Sequence, residues 1–416
     1  MEGLIEFITE TRTAAVSFFT TVRTGHFPAT IVHHNDADGI ASAAVLVHAF
    51  ERLGLTYRLL PVEKIHEPII EKIHAAATDI IIYADLGGQS SGMIGHYAPG
   101  NPPVIILDHH LPGGAAPDNV IHVNPEHHGI SGDDHASGAC VCALFARELL
   151  REASFNVPDE EALLCALGVI GAIGDKQDHT GELAGVNSIL LETAMQSGHI
   201  TRTAHGYTLP GIQNKTIKEV AEILNLLGSV GFYSGSTEMG VNFLLGRNSG
   251  EALRASVQLE KQKTSCFQKE AENIRIHGLE CSKNFQWVDI KNRFVPMGVK
   301  AIGLFLEHLI EENIASADKY LIGFQHLPVE IPGIGHLDRS LTKISARVHP
   351  ELKKSIHEGR LPDFMALIPE ATAMVQGTAD GCHRFMAASL IQQGRETEFI
   401  HALEKVLAQS CEDHAG

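Results

Sequence analysis

With 416 residues, 44% of them hydrophobic and 20% charged, the chain has an ordinary globular make-up and is longer than one core usually serves, so two domains are expected. The formal net charge of −18 excludes a globally basic nucleic-acid binder: a nucleic acid would have to follow a local positive track, and bound divalent cations would offset part of the acid count. The seven cysteines are scattered without a Cys-x-x-Cys pair, which excludes a disulfide framework and points to reduced thiols in a cytoplasm, with Cys140 and Cys142 as small core residues.

The N-terminus lacks a basic segment followed by an apolar core, so no signal peptide is expected. Leu4, Ile5, Ile8, Ala15 and Phe18 recur at helical spacing and predict an amphipathic helix over residues 1–24. Ala29-Thr30-Ile31-Val32-His33 reads as a first strand. It runs into His34-Asn35-Asp36-Ala37-Asp38-Gly39, after which Gly39 opens an apolar helix from Ile40 to Phe50 with Gly54 as its stop. Asp38 suits that helix as an N-cap. Capping alone leaves unexplained why a histidine and a second acid precede it at alternate spacing.

Tyr57 to Leu60 is a short strand and Glu67 to Ala77 a short helix. Asp79 to Ala84 is a third strand, running into Asp85-Leu86-Gly87-Gly88. Val104 to Leu107 is a fourth, running into Asp108-His109-His110, and Val120 to Val123 a fifth. Strands alternating with helices, and apolar without internal alternation, predict a mostly parallel, doubly wound sheet buried on both faces.

Ser137 is placed to cap a helix from Ala139 to Glu152, whose first N–H groups could alternatively receive a phosphate. Another helix, Asp159 to Ile173, ends in Gly174-Asp175; its apolar stretch from Ala162 to Gly174 is too short to span a bilayer. Further helices fill 187–198 and 216–227. His127, His128 and His135 lie in a Gly/Asp-rich loop and read as surface residues.

A long polar helix from Ser249 to His277, carrying Arg254, Lys261, Lys263, Lys269 and Arg275, reads as a bridge to a second domain. The expected division is a first domain over 1–245, a connecting helix over 246–277 and a second domain over 278–416. In the last, Gln286 to Ile290 reads as a strand, and Met297-Gly298-Val299-Lys300 leads a helix through Ile314. Leu341 to Val348 is an alternating strand, with Lys343, Ser345 and Arg347 on one face and Ile344, Ala346 and Val348 on the other. The plain reading of the first face is a solvated one.

Three strand ends and one helix end thus deliver His34-x-Asp36-x-Asp38, Asp85, Asp108-His109-His110 and Asp175. In open α/β sheets ligands bind beyond the carboxyl ends of the strands. A lone Asp after a strand is ordinarily a turn or cap residue. This many acids at one edge would repel one another unless they held cations. Mixed carboxylate and imidazole donors suit Mn²⁺, Mg²⁺ or Zn²⁺.

These segments resemble the four motifs of the DHH phosphoesterase superfamily. The resemblance implies two divalent cations, Mn²⁺ or Mg²⁺. His34, Asp36 and Asp85 would hold one; Asp38, Asp85, His109 and Asp175 would hold the other, with Asp85 bridging. His110 would face the scissile phosphate and Asp108 would orient a histidine, so that Asp85, Asp108 and His110 form the catalytic set. In the second domain, Asp380-Gly381-Cys382-His383-Arg384, followed by Ala387-Ala388, resembles the glycine-rich histidine motif of the DHH-associated domain, with Asp380 and Cys382 standing where glycines are usual. That resemblance implies substrate contacts from His383 and Arg384, and from the Lys343, Ser345 and Arg347 strand. Pro296 to Lys300 and Gly231-Phe232-Tyr233-Ser234-Gly235 resemble segments of archaeal RecJ-like proteins.

The implied fold is a parallel, doubly wound DHH domain joined by a long helix to a smaller α/β DHH-associated domain, with the active-site cleft between them. The implied function is a metal-dependent exonuclease that acts on single-stranded DNA or RNA, in DNA repair or replication, and releases mononucleotides. The alternatives are a phosphodiesterase for short oligoribonucleotides or cyclic dinucleotides, an inorganic pyrophosphatase, and a replication-fork scaffold that binds GINS and helicase proteins.

Overall fold

The apolar runs assemble as neighbouring strands. The computed structural model describes residues 2–413 apart from 26, 76–78, 99, 101 and 156–157. In chain order it begins α1 (Glu2–Gly25), β1 (Ala29–His34), α2 (Ala37–Arg52), β2 (Tyr57–Val62), α3 (Glu67–Ala75), β3 (Ile80–Ala84), α4 (Ser91–Tyr97), β4 (Val104–Leu107) and β5 (Val120–Val123). Residues 76–77 of the expected third helix lie outside the described residues. The five strands form one sheet in the order β2-β1-β3-β4-β5, with every pairing parallel. The chain steps from β1 outward to β2 and then returns to the other side of β1, so the topological switch point lies between β1 and β3. Every residue of β3 and β4 is buried, as expected of central parallel strands covered on both faces.

The helices α5 (Gly138–Glu152), α6 (Pro158–Gly174) and α7 (Gly185–Gln196) follow. Both α5 and α6 pack on α2, an alanine-rich helix buried along nearly its whole length. Small side chains bring these backbones close together. A Cβ on Gly171 would stand 2.0 Å from Asp38 Oδ1 and 2.5 Å from the Ala139 methyl. One detail departs from the sequence reading: α2 starts at Ala37, and Asp36, not Asp38, caps it by accepting the Gly39 N–H at 3.1 Å. That leaves the Asp38 carboxylate available to other partners.

A small antiparallel sheet of β6 (Thr201–Thr203), β7 (Gly206–Leu209) and β8 (Lys215–Thr216) comes next, then α8 (Ile217–Asn225) and α9 (Thr237–Leu244). The small sheet has no apolar alternation to announce it, whereas α8 is announced by a capping box of Thr216 and Glu219.

The long helix α10 (Ser249–His277) is present as expected. The chain divides into two compact units, Met1–Val257 with Pro332–Ile334, and Gln258–Ile331 with Gly335–Gly416, so α10 contributes to both. In the second unit follow β9 (Glu280–Cys281), β10 (Phe285–Asp289), α11 (Ala301–Glu311), β11 (Tyr320–His326), β12 (Glu330–Ile331), β13 (Gly335–His336), β14 (Leu341–Arg347), α12 (Pro350–His357), α13 (Phe364–Met374), β15 (Thr378–Cys382), β16 (Met386–Gln392) and α14 (Glu396–Asp413). Six of these strands form a mixed sheet, β15-β16-β14-β11-β10-β9. Ile344, Ala346 and Val348 enter the core that this sheet shares with α12, α13 and α14. The opposite face of β14 lies beneath α11: Lys343 and Ser345 are buried, and a Cβ on Gly303 would stand 2.8 Å from the Arg347 guanidinium. The alternation therefore predicts the two faces correctly, but the polar one is covered by a helix and is not open to solvent.

Among the described residues no helix is long and apolar enough to cross a membrane.

The first unit buries titratable groups away from its sheet edge. His74 of α3 pairs through Nε2 with the Tyr83 hydroxyl at 2.9 Å, and burial pulls its pKa down to about 4. In the folded protein this ring stays neutral, while in the unfolded chain it protonates near pH 6.5. Below that pH the unfolded state binds more protons, so stability falls progressively as the pH drops from 6.5 toward about 4. Urea midpoints at pH 7 and pH 5 should show this loss in the wild type and a smaller one in His74→Gln. Equal losses in the two would remove His74 from the account.

Candidate metal centre

Each donor at the sheet edge is fixed by the backbone that ends its strand. After β3 the chain turns sharply at Asp85, which adopts φ +62°. This left-handed conformation is costly for most residues but tolerated by Asp and Asn. It persists because the surroundings determine it, with the Asp85 N–H donating to the Leu107 carbonyl at 2.8 Å. The turned carboxylate is buried and reaches both ways. Its Oδ2 stands 3.4 Å from His34 Nδ1 and its Oδ1 stands 3.2 Å from His109 Nε2.

His34, Asp36 and Asp85 therefore form one donor group, and Asp38, His109 and Asp175 a second; in each, the donor atoms lie within 4.8 Å of one another. His34 Nδ1 is 3.0 Å from Asp36 Oδ2. His109 Nε2 is 3.7 Å from Asp38 Oδ2 and 3.8 Å from Asp175 Oδ2. All six residues expected as metal ligands thus lie together at the carboxyl edge of the sheet, on both sides of its switch point.

The loop after β1 is supported from behind. Asn35 Nδ2 donates to the Gly228 carbonyl at 3.1 Å, and the Ala37 N–H donates to Asn225 Oδ1 at 3.0 Å. The Asp38 carboxylate accepts the N–H groups of Gly138 and Ala139 at 2.8 and 2.9 Å. Of the two readings of the α5 N-terminus, the cap holds and the phosphate site does not. Ser137 does cap the helix, but its first N–H groups hold a protein carboxylate and are not left open for a phosphate. The positive helix end is the right place for that charge.

Asp108 acts as a clasp. It accepts from the N–H groups of Gly88 and His109, each at 2.8 Å, and its Oδ1 lies 2.8 Å from His110 Nδ1. Burial opposes ionisation of Asp108, but His110, His109 and the Gly88 N–H outweigh it and hold its carboxyl below the usual range. The His110 side chain is 50% exposed, in contrast to His109 at 2%.

His109 Nδ1 donates to the Gly132 carbonyl at 2.8 Å, so in the neutral ring Nε2 carries the lone pair. Neither His109 Nε2 nor Asp85 Oδ1 has an aligned hydrogen-bond partner although both are buried. Buried polar atoms rarely go unpaired. Burial, and then the Asp38 charge, push the Asp85 carboxyl well above its usual range. Burial and Asp175 push Asp38 up to about 6, against the His109 ring. The cluster as built is short of positive charge. Oxygen and imidazole donors converging on orphaned atoms fit divalent cations such as Mn²⁺ or Mg²⁺.

Residues 28–169 match the model of the DHH family, N-terminal domain. Over those residues the chain is similar to the DHH family. An uncharacterised protein of Methanocaldococcus jannaschii is 30% identical over 177 residues, covering 41% of this chain and 37% of that protein, so the chain spans little over a third of that relative's length. Among solved structures, RecJ from Thermus thermophilus in complex with Mn²⁺ has a TM-score of 0.64 at 16% identity, covering 96% of this chain and 55% of that one. Exonuclease RecJ bound to manganese has a TM-score of 0.63 at 16% identity, covering 96% and 94%. CDC45 from Entamoeba histolytica has a TM-score of 0.54 at 11% identity, covering 95% and 99%. The fold is RecJ-like: a parallel DHH sheet followed by a second α/β unit.

The residues expected to touch substrate belong to the second unit. Arg347 pairs with Glu307 of α11 at 2.8 Å. Arg384 is 45% exposed and lies 3.4 Å from Asp363, and His383 is exposed beside it. His127 is exposed, as the sequence implied, whereas His128 is half-buried and tied to another element. His128 Nε2 meets Glu10 of α1 at 2.9 Å, and His127 packs edge-on against His122.

Two side chains of the site had no place in the sequence reading, Gln177 and Asn187. Asn187 lies on the buried face of α7 among Val186, Leu190 and Leu191. An amide in such a stripe signals a built hydrogen-bond network.

Proposed function

We propose that this chain is a divalent-metal-dependent phosphodiesterase that acts as an exonuclease on single-stranded DNA or RNA. The observation that carries this is the Asp85 carboxylate, with one oxygen facing each of two donor groups. A pair of divalent cations, when bound, polarises a phosphodiester and makes hydroxide available near neutral pH.

His34, Asp36 and Asp85 would hold one cation and Asp38, Asp85, His109 and Asp175 the other. Asp108 locks His110 at the open side of the cluster, where an imidazole can meet a substrate phosphate. Of the residues expected to hold the nucleic-acid backbone, His383 and Arg384 are exposed and remain the candidates, whereas Lys343, Ser345 and Arg347 lie beneath α11. With one Trp in the chain and 6% aromatics, stacking platforms are scarce, which favours contacts that do not depend on sequence. RecJ structures that share the fold are complexes with manganese, which is consistent with the metal choice.

End-labelled single-stranded DNA and RNA, incubated with Mn²⁺ and with a chelator, test the reading. Labelled mononucleotides should form with Mn²⁺ and vanish with the chelator. Turnover confined to dinucleotides or cyclic dinucleotides would replace the polymer reading with the short-substrate one. No hydrolysis of any of these, together with recovery of a stable complex with replication proteins, would favour the scaffold.

A further inference from the structure

Behind the second donor group lies a buried pair of side-chain amides that no cation would touch. Lys176 adopts φ +61°, which turns the chain back after α6 and carries Gln177 inward, where it is 2% exposed. Gln177 Nε2 donates to Asp175 Oδ2 at 3.0 Å and to the Gly132 carbonyl at 2.8 Å. That carbonyl also accepts from His109 Nδ1 at 2.8 Å. On its other side, Gln177 Oε1 accepts from Asn187 Nδ2 at 2.6 Å, and Asn187 Oδ1 accepts the Ser137 N–H at 3.1 Å. Ser137 immediately precedes the two N–H groups that hold Asp38.

Only one orientation of each amide satisfies this chain. Asp175 and Gly132 offer acceptors alone, so the Gln177 NH₂ must face them and its oxygen must face Asn187. The Ser137 N–H is a donor alone and fixes Asn187 in turn. Two amides, with Asn187 fully buried, therefore reach all three donors of the second group: Asp175 directly, His109 through Gly132, and Asp38 through the start of α5.

We propose that Gln177 and Asn187 are positioning residues that set the affinity of the second cation site, formed by Asp38, His109 and Asp175 with the bridging Asp85, without being ligands to it. This rests on the two-cation reading above. Outer contacts of this kind are typically worth about 10–100-fold in metal affinity. The first group, His34 and Asp36 with Asp85, has no contact with the pair and keeps its affinity.

The test is a titration of the full-length protein with Mn²⁺ by calorimetry, read as two sites. Gln177→Met keeps the volume and removes both donated hydrogen bonds. One site should weaken about 10–100-fold while the other stays within about twofold. The Mn²⁺ concentration giving half-maximal hydrolysis should rise in parallel, with kcat at saturating Mn²⁺ nearly unchanged. Asn187→Asp serves as the second variant. It still accepts from Ser137 but can no longer donate, so Gln177 is driven to flip and presents its oxygen to Asp175; the same site should weaken. A folded variant of either kind whose isotherm matches wild type overturns the proposal, because a merely structural role changes melting and leaves the isotherm alone. A wild-type protein that binds no pair of Mn²⁺ ions overturns the two-cation reading itself.

Discussion

Asp85→Asn is expected to lower hydrolysis by at least about 10³-fold, beyond the 10–100-fold typical of an outer contact. Asparagine tolerates the left-handed φ of +62° that would strain alanine, so the turn after β3 is kept. What is lost is the charge and one of the two oxygens that could face a cation. The same substitution should move stability in two directions. Burial and Asp38 already disfavour an ionised Asp85 in the unloaded protein, so the variant should melt at the wild-type temperature or above when no metal is present. Wild type should gain stability from Mn²⁺ by mass action, about 2.7 kcal/mol at one hundred times the dissociation constant, and the variant should gain little. Melting curves with and without Mn²⁺, run beside the nuclease assay, separate these effects. Activity within tenfold of wild type would remove Asp85 from the centre of the site.

Gly138→Ala should be nearly as damaging although it deletes no functional group. A Cβ there would stand 2.5 Å from Asp85 Oδ1 and 2.6 Å from Asp85 Cβ. Neither atom can retreat, because Asp85 is buried at a fixed turn and Gly138 itself donates to Asp38 at 2.8 Å. The added methyl must push one carboxylate out of line. A displacement of about 1 Å at a reacting centre can cost about 100-fold, so a loss of that size, with weakened Mn²⁺ binding, is expected. Gly92 of α4 provides the control: a Cβ there meets nothing within 4 Å, and Gly92→Ala should leave activity unchanged while adding up to about 1 kcal/mol of helix stability. If Gly138→Ala behaved like Gly92→Ala, the close approach of α5 to Asp85 would not matter for function.

Much of this was legible in the chain because the signal is local. β1, β3 and β4 are short apolar runs, each followed within a few residues by its donors: His34 to Asp38, Asp85, and Asp108 to His110. In a parallel sheet, where consecutive strands point the same way, that pattern alone sends all of them to one edge. The period-2 alternation of Leu341 to Val348 and the helical spacing of α1 and α10 were equally readable.

Tertiary packing decided the rest. The sequence could not show that Asp36 takes the cap and frees Asp38 for N–H groups 100 and 101 residues later. Nor could it show that α11 covers the polar face of β14, or that a glycine at 171 lets α6 come close enough to bring Asp175 to His109. Gln177 and Asn187 are silent for the same reason. A hydrogen bond between residues far apart in the chain leaves no periodicity in either segment, and only the packed helices determine which atoms meet.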